Sequence, residues 1–383
     1  MRYVTSGESH GRALTTIVSD VPAGIPFTQQ DIDADLARRQ VGYGRGGRMQ
    51  IEQDRGRILG GVRFGRTLGT PVAITISNRD WDNWTDVMSI AGEPVEAARV
   101  TAPRPGHADL PGMLKIGSKD ARDILERASA RETAARVAAG ALAKALLAEL
   151  GVSVRSYVCA IGDVAVTPVA DPSLLAWEEI EGSDLRCPDP DAAARMRDAI
   201  DVARQAGESL GGVFCVVAEG LVPGLGSYAQ ADRRLDAELA AAVVSVPAIK
   251  GVEFGEGFSA AGLPGSQVHD AIYHDRERGV YRATNRAGGL EGGMTNGEPL
   301  VVRAAMKPIP TLMTPLPTVD IDTLEPVDAS KERSDVCAVP AAAVVAEAEV
   351  ALVLARAHMR KFGADSVDDM RHALHAYRAR TSL

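Results

Sequence analysis

The chain has 383 residues, with 42 Lys and Arg, 51 Asp and Glu, 45% apolar side chains and only 3 Trp, 7 Tyr and 6 Phe. That composition excludes a disordered tail, a coiled coil and a fibre. A chain this long buries roughly 70 to 75% of its unfolded surface, so no disulfide or metal staple is needed; the four scattered cysteines (Cys159, Cys187, Cys215, Cys337) include no CxxC pair, which favours a reduced compartment.

The net charge of −9 is unevenly spread: residues 1–150 carry 20 basic against 18 acidic side chains, and 151–383 carry 22 against 33. Between Leu36 and Arg66, eight arginines (38, 39, 45, 48, 55, 57, 63 and 66) face only Glu52 and Asp54. A local excess made wholly of Arg implies an anionic partner, because the guanidinium fork binds phosphate or carboxylate two-handed. No apolar stretch reaches the 18 or more residues that a membrane span requires, and MRYVTSGESHGR lacks a signal-peptide core, so a soluble, cytoplasmic protein with no membrane partner is expected.

In chain order, residues 13–19 read as a strand after the turn-rich 6–12. Thr28 opens a helix over 29–39, with Asp31, Asp33 and Asp35 early and Arg38 and Arg39 in its last turn, the polarity that complements the helix dipole. Short strands are expected at 49–53, 57–62 and 72–77, and one long helix over 120–150, whose face of small residues allows close packing on both sides. Strands follow at 153–161 and 212–218 around a helix at 191–206. A helix at 233–244, a Gly-rich segment over 251–297, a strand at 299–307 and helices at 341–362 and 366–378 complete the chain. This order predicts α+β layering with central helices, not strict βαβ alternation.

Three motif matches fail on context. Gly7-Glu8-Ser9-His10-Gly11 has the spacing of a serine-hydrolase elbow but lacks the buried parallel strand that must precede it. Gly42-x-Gly44-x-x-Gly47 follows a helix, the reverse of a dinucleotide loop, and residues 112–119 place their lysine wrongly for a phosphate loop. A basic RNA-binding segment around Gly44-Arg45-Gly46-Gly47-Arg48 would need interleaved aromatics and a basic domain, and the pI is about 5.4.

The chemistry-bearing candidates are His10 and His107, each in a turn shaped by Gly or Pro; Arg127-Ala128-Ser129-Ala130-Arg131; Arg333 with Asp335; and the stretch 287–297, with five glycines in eleven positions. A loop histidine can move a proton at neutral pH or simply cap its own turn, and the arginine pair can bind a ligand or lie on a solvated face. Close approach of backbone to a ring or phosphate, or plain flexibility, accounts equally for the glycines.

Together these blocks resemble the chorismate synthase family: GESHG (7–11), ARRQVGYGRGGRM (37–49), RPGHAD (104–109), LERASARETAARVAAG (125–140), NRAGGLEGGMTNG (285–297), MKPIPT (306–311) and RSDVCAVPA (333–341). The resemblance runs over nearly the whole chain and implies a single domain over 1–383, with a β-α-β sandwich of helices between antiparallel sheets, assembled as a homotetramer. It implies a lyase that converts 5-enolpyruvylshikimate 3-phosphate to chorismate with FMN in its reduced form. A conventional FMN oxidoreductase on the same fold is the alternative.

By resemblance, Ser9, Arg39, Arg45, Arg48, Arg104, Ser129, Arg131 and Arg333 line the substrate pocket. His10 is the general acid for the departing phosphate, His107 holds the charge state of the flavin, and Asp335 takes part in proton transfer at the flavin N5. FMN contacts fall to Arg39, Arg45, Arg127, Ala128, Ser129, Pro247, Ala248, Gly292, Lys307, Pro308, Ile309, Pro310, Thr311 and Arg333, and no metal is expected. Ala128 stands where many members carry Ser, and Pro247 has no N–H to donate. The chain has no room for large insertions and resembles the monofunctional bacterial type served by a separate flavin reductase. NADPH is associated with Arg39 and Arg45.

Overall fold

The computed structural model describes residues 1–46, 53–166, 169, 171–276, 279–332 and 334–382. The expected strand at 49–53 lies almost wholly outside the described residues, as do Arg48 and Arg333.

The first sheet alternates apolar and polar residues so that one face is buried. It joins β1 (Arg2–Ser6), β2 (Ala13–Ser19), β4 (Gly56–Gly60) and β7 (Val72–Ser77) in the order β1-β2-β7-β4, all antiparallel, with Leu14, Val18, Val72, Ile74 and Ile76 turned inward. A small flanking sheet is built from β3 (Ala23–Pro26), β5 (Val62–Arg63) and β6 (Arg66–Leu68). Between β3 and β4 lies α1 (Gln29–Gln40), entered through Thr28, whose backbone N–H and hydroxyl both donate to Asp31. Ile32 and Leu36 of α1 are fully buried.

The expected helix over 120–150 is two helices. After α2 (Asp109–Ile116), α3 (Arg122–Ala128) ends at Ser129, whose extended backbone (φ −61°, ψ 141°) leads through a 3-10 turn, Ala130–Glu132, into α4 (Thr133–Glu149). Arg127 and Arg131 therefore do not share a helical face. The reason is tertiary: the Ser129 hydroxyl accepts from the Arg131 N–H and meets Ser9 Oγ at 3.1 Å, a partner 120 residues away that no local propensity encodes.

The second sheet contains β8 (Ser153–Ile161), β9 (Val164–Ala165), β10 (Gly212–Glu219), β11 (Ile249–Phe254) and, later, β16 (Leu300–Met306), in the order β11-β16-β10-β8-β9. α5 (Pro190–Ala206) and α6 (Leu235–Val244) connect its strands. Hairpins β12 (Ile272–Asp275) with β13 (Gly279–Arg282), β14 (Leu290–Glu291) with β15 (Met294–Thr295), and β17 (Pro317–Val319) with β18 (Pro326–Asp328) hang on this frame.

α7 (Val339–Phe362) is buried on nearly every side, as an alanine- and valine-rich helix must be when flanked by other elements all round. It packs on α4, α1 and α6 and on β8 and β10, while α4 packs on β2 and β7; α8 (Val367–Thr381) closes the end. The layers are thus sheet, helices, sheet, as expected. α4 and α7 cross so closely that a Cβ on Gly140 would lie 2.2 Å from Ala348 Cβ. No helix among the described residues is long and apolar enough to cross a membrane.

Candidate active site

The β1–β2 turn carries Ser9 and His10. Gly7 sits at φ +107°, and a Cβ there would lie 2.2 Å from Ala13 O, so the chain doubles back only through glycine. The turn is locked onto α3: Ser9 N–H donates to Glu126 O at 2.8 Å, and His10 N–H to Glu126 Oε2 at 2.8 Å. The His10 ring places Nδ1 3.0 Å from Glu126 Oε1 and stacks on Trp84, centroids 3.8 Å apart. Burial pushes the Glu126 carboxyl up, yet the hydrogen bond and charge of His10, with Arg122, hold it below the usual carboxylate value.

Beside this turn, two elements deliver arginines to one buried carboxylate, Asp54. Arg131, just past the Ser129 break, donates Nη1 to both Asp54 oxygens at 2.5 and 2.7 Å, and Nε and Nη2 to Asn78 Oδ1. Asn78 in turn donates Nδ2 to the carbonyls of Glu8 and Gly11, so the histidine turn and the arginine are braced by one side chain. Arg39, from the last turn of α1, donates Nε to Thr133 Oγ1 and Nη2 to Ala130 O, while its buried Nη1 makes no hydrogen bond and lies 3.6 Å from Asp54. Burial lowers the Arg39 guanidinium to about 10; Asp54 opposes that shift, and Arg45 and Arg131 add to it. Such a crowd of cations is an anion site in waiting.

Arg45 completes the crowd. Its Nη1 pairs with Asp335 at 3.1 Å, and Asp335 also accepts the Gly46 N–H at 2.7 Å. Val336 N–H donates to Gly44 O, and Leu210 N–H to Val336 O, tying the α1 exit loop to the entrance of α7 and to the residues before β10.

A second arm forms around the 104–109 loop, at the start of α2. Asp109 is fully buried and accepts from Arg104 N and Nε, while its Oδ1 lies 2.5 Å from His107 Nδ1. Burial would raise the Asp109 carboxyl; the hydrogen bonds from His107 and Arg104 instead hold it far below the ordinary value. Arg104 Nη1 reaches Thr311 Oγ1 at 2.9 Å, and Lys307 Nζ donates to Gly106 O at 2.5 Å, which brings 307–311 against the loop. Lys307 N–H donates to Ala248 O, and Ile309 O accepts from Ser209 Oγ. Both arms share a helix pair, since α2, which begins at Asp109, packs on α3, which carries Glu126.

Most of the expected residues therefore gather: Ser9, His10, Ser129, Arg131, Arg39, Arg45 and Asp335 on one arm; Arg104, His107, Ala248 and Lys307 to Thr311 on the other. Arg127 is spent on the chain itself, donating to Gly7 O and to Thr5 O and Oγ1. Ala128 closes α3, and Pro247 precedes β11. Gly292 tops the β14–β15 hairpin, where Gly293 O accepts from Leu235 N–H at the start of α6; the length of α6, roughly 15 Å, separates it from Pro247. Composition and spacing did not single out Glu126, Trp84, Asp54, Asn78 or Asp109. Each is short of a motif by itself, and only the acid five residues after Arg104, two after His107, gave a local signal.

Comparison with known proteins agrees along the chain. The family model described as Chorismate synthase matches residues 1–359. A chorismate synthase from Moorella thermoacetica is 58% identical over 381 residues, covering 99% of this chain and 98% of its own. One from Symbiobacterium thermophilum is 58% identical over 376 residues, 96% of either chain, and one from a Sulfurihydrogenibium species is 53% identical over 384 residues, 99% of this chain and 98% of its own. A crystal structure titled as chorismate synthase superimposes with a TM-score of 0.81 at 43% identity, covering 99% of this chain and 97% of the other.

Proposed function

The chain belongs to the chorismate synthase family, and we propose that the two-armed histidine site is where it carries out that family's reaction. It is a carbon–oxygen lyase: phosphate leaves 5-enolpyruvylshikimate 3-phosphate by 1,4-anti elimination to give chorismate, the last common step toward the aromatic amino acids. FMN is needed reduced although the reaction has no net redox change, and when bound it supplies an electron-rich neighbour for phosphate departure and an acceptor for the hydrogen leaving C6.

The observation that carries the site assignment is the arginine crowd. A net-acidic protein buries Arg39, Arg104 and Arg131 to between 4 and 7% exposure, and Arg39 Nη1 has no hydrogen-bond acceptor. A buried donor without a partner costs free energy unless a ligand supplies the acceptor. The substrate phosphate and carboxylates fit Arg39, Arg45 and Arg131, with Ser9 and Ser129, whose hydroxyls meet at 3.1 Å, and Arg48 and Arg333 belong to the same proposed set. His10, its Nδ1 engaged by Glu126, keeps Nε2 to protonate the leaving phosphate oxygen as the C–O bond breaks.

The second arm suits a flavin with a phosphate tail. Ser330 Oγ, beside Ala102, is a further buried group lacking a hydrogen-bond partner, and Gly106 at φ +78° lets backbone come close to Lys307 and Pro310. The unpartnered Ser330 Oγ supports that reading. Arg104, Lys307, Pro308, Ile309, Pro310, Thr311, Pro247 and Ala248 would hold FMN; His107, braced by Asp109, would keep its reactive charge state; and Asp335 would move a proton near its N5. Arg127, Ala128, Ser129, Arg39, Arg45, Gly292 and Arg333 remain the outer part of that proposed set, Gly292 reaching a site only from another copy of the chain or through a rearrangement. NADPH would meet the same Arg39 and Arg45 as the substrate phosphate, so a separate flavin reductase is the supply we favour, in the cytoplasm. A homotetramer is the proposed assembly.

The test is anaerobic turnover of 5-enolpyruvylshikimate 3-phosphate with catalytic FMN, with and without prereduction by dithionite, following chorismate and phosphate. Many equivalents of both per flavin, only when it is reduced, are expected. Stoichiometric flavin oxidation without chorismate would overturn the reading in favour of an oxidoreductase.

A further inference from the structure

Glu126 is one of the two acidic residues of α3, and while Asp123 is exposed, Glu126 is 3% exposed and its two oxygens serve three donors. Oε2 accepts the His10 backbone N–H at 2.8 Å; both oxygens lie 3.0 to 3.1 Å from His10 Nδ1; and Oε1 accepts from Arg122 Nη1 at 3.0 Å. The opposite constraint comes from Trp84, whose indole stacks on the imidazole at 20° between planes and carries the Arg122 guanidinium 5.3 Å from its own ring centre. Trp84 is itself fixed by a hydrogen bond from its indole N–H to Asp80.

We propose that Glu126 is the positioning residue of the reaction: it holds one proton on His10 Nδ1 so that the second proton of the imidazolium sits on Nε2 and, with Trp84 against the ring face, is presented to the leaving phosphate, which takes it and leaves the ring neutral with Nδ1 still protonated. The argument is geometric. A histidine on a glycine-framed turn has two ring nitrogens and a rotatable ring, and an acid works only if the right nitrogen points at the right oxygen. A carboxylate that binds both the backbone and the ring of one residue fixes χ1 and χ2 together: stacking on Trp84 holds the ring plane, and the bond to Nδ1 resists the half-turn about Cβ–Cγ that would put a ring carbon in its place. Carboxylate–imidazole pairs elsewhere act by selecting a tautomer and steadying the charged ring, and loss of that selection costs rate even when the nucleophile or acid remains. Neither Trp84 nor Glu126 touches substrate in this role. The proposal rests on His10 being the phosphate-side acid, and the experiment separates the two claims.

Histidine labelled with 15N in the whole protein, with His10 assigned by its absence in His10→Ala, reports which ring nitrogen carries the proton. In the wild type the neutral ring should carry it on Nδ1; in Glu126→Gln, whose amide can donate back to the ring, Nε2 should gain it. Turnover under reduced FMN should show kcat falling on the order of 10²-fold in Glu126→Gln with KM within a few-fold, and Glu126→Asp should recover part of the loss. The double variant His10→Ala/Glu126→Gln should be no slower than His10→Ala alone. A wild-type ring that in its neutral form carries the proton on Nε2 overturns the proposal without any variant, as does a Glu126→Gln enzyme within twofold of wild type while His10→Ala is slow. A His10→Ala enzyme as fast as wild type would instead remove His10 as the acid, and the ring-nitrogen measurement would still decide what Glu126 holds.

Discussion

Asp54 shows at the scale of one residue how charge was concentrated without unfolding the protein. It is 4% exposed and, among the described residues, is the buried anion that Arg131 and Arg39 share, with Arg45 close enough to act on Arg39. Removing it leaves buried guanidinium groups uncompensated, the case in which a broken ion pair costs most. Asp54→Asn is expected to lose about 3 kcal/mol of stability in urea denaturation and to raise KM for the phosphorylated substrate, because Arg131 loses its two-handed anchor. Unchanged stability with unchanged KM would mean that Asn78 alone orients the arginine. Asp54 and Asn78 are invisible as site residues in the sequence, since a carboxylate or an amide outside any motif says nothing of what it will face. Arg39 and Arg131 are legible, because arginine in excess of acid must find an anion somewhere.

Among the elements, the helix pair at the centre carries the most information. Gly140 of α4 meets Ala348 of α7 with no room for a methyl group. Gly140→Ala is expected to push the helices apart and cost about 3 kcal/mol, read as a lower urea midpoint at unchanged slope, whereas the helix propensity of Ala alone would predict a gain. α7 also carries His358, buried to 1% exposure, with burial lowering it to about 4 and Leu354 O as its hydrogen-bond partner. The unfolded chain takes up this proton from about pH 6.5 downward and the folded one only near 4, so stability is full above 6.5 and falls as pH drops through that window. The gap is worth about 3 kcal/mol at most. Glu181, held near 2 by Arg186 and Arg38 against its burial, acts only below the ordinary glutamate range. Between pH 6.5 and 5, then, His358→Leu should flatten the dependence of the urea midpoint on pH; an unaltered slope would place the acid sensitivity elsewhere. The break at Ser129 belongs to this scale too: Ala-rich sequence on both sides reads as one helix, and only the approach of Ser9 ends it.

For the whole molecule, the outer face of the first sheet is the feature a lone chain leaves unexplained. Val4 pairs with Ile17, and Ile17 with Ala73, in register across β1, β2 and β7, with Leu59 on the neighbouring β4; Val4 and Ile17 are 73 and 49% exposed. An apolar row on a sheet face is what an assembled protein covers, which supports the proposed homotetramer. Ile17→Lys should yield smaller species in light scattering at micromolar concentration, without loss of secondary structure; an unchanged mass would move the interface to another surface.

The sequence by itself determined the layered α+β class, most strand and helix bounds, the arginine surplus and both histidines, because hydrophobic period, turn residues and charge balance are local quantities that survive in one dimension. Only the tertiary structure decided which carboxylate His10 would face, that Arg127 would be used to pin β1 rather than join Arg131, and that Asp54 and Asn78 would brace the arginines. Those outcomes depend on contacts between residues 53 to 122 positions apart, and burial at such contacts sets both the cost of a charge and the value of its partner.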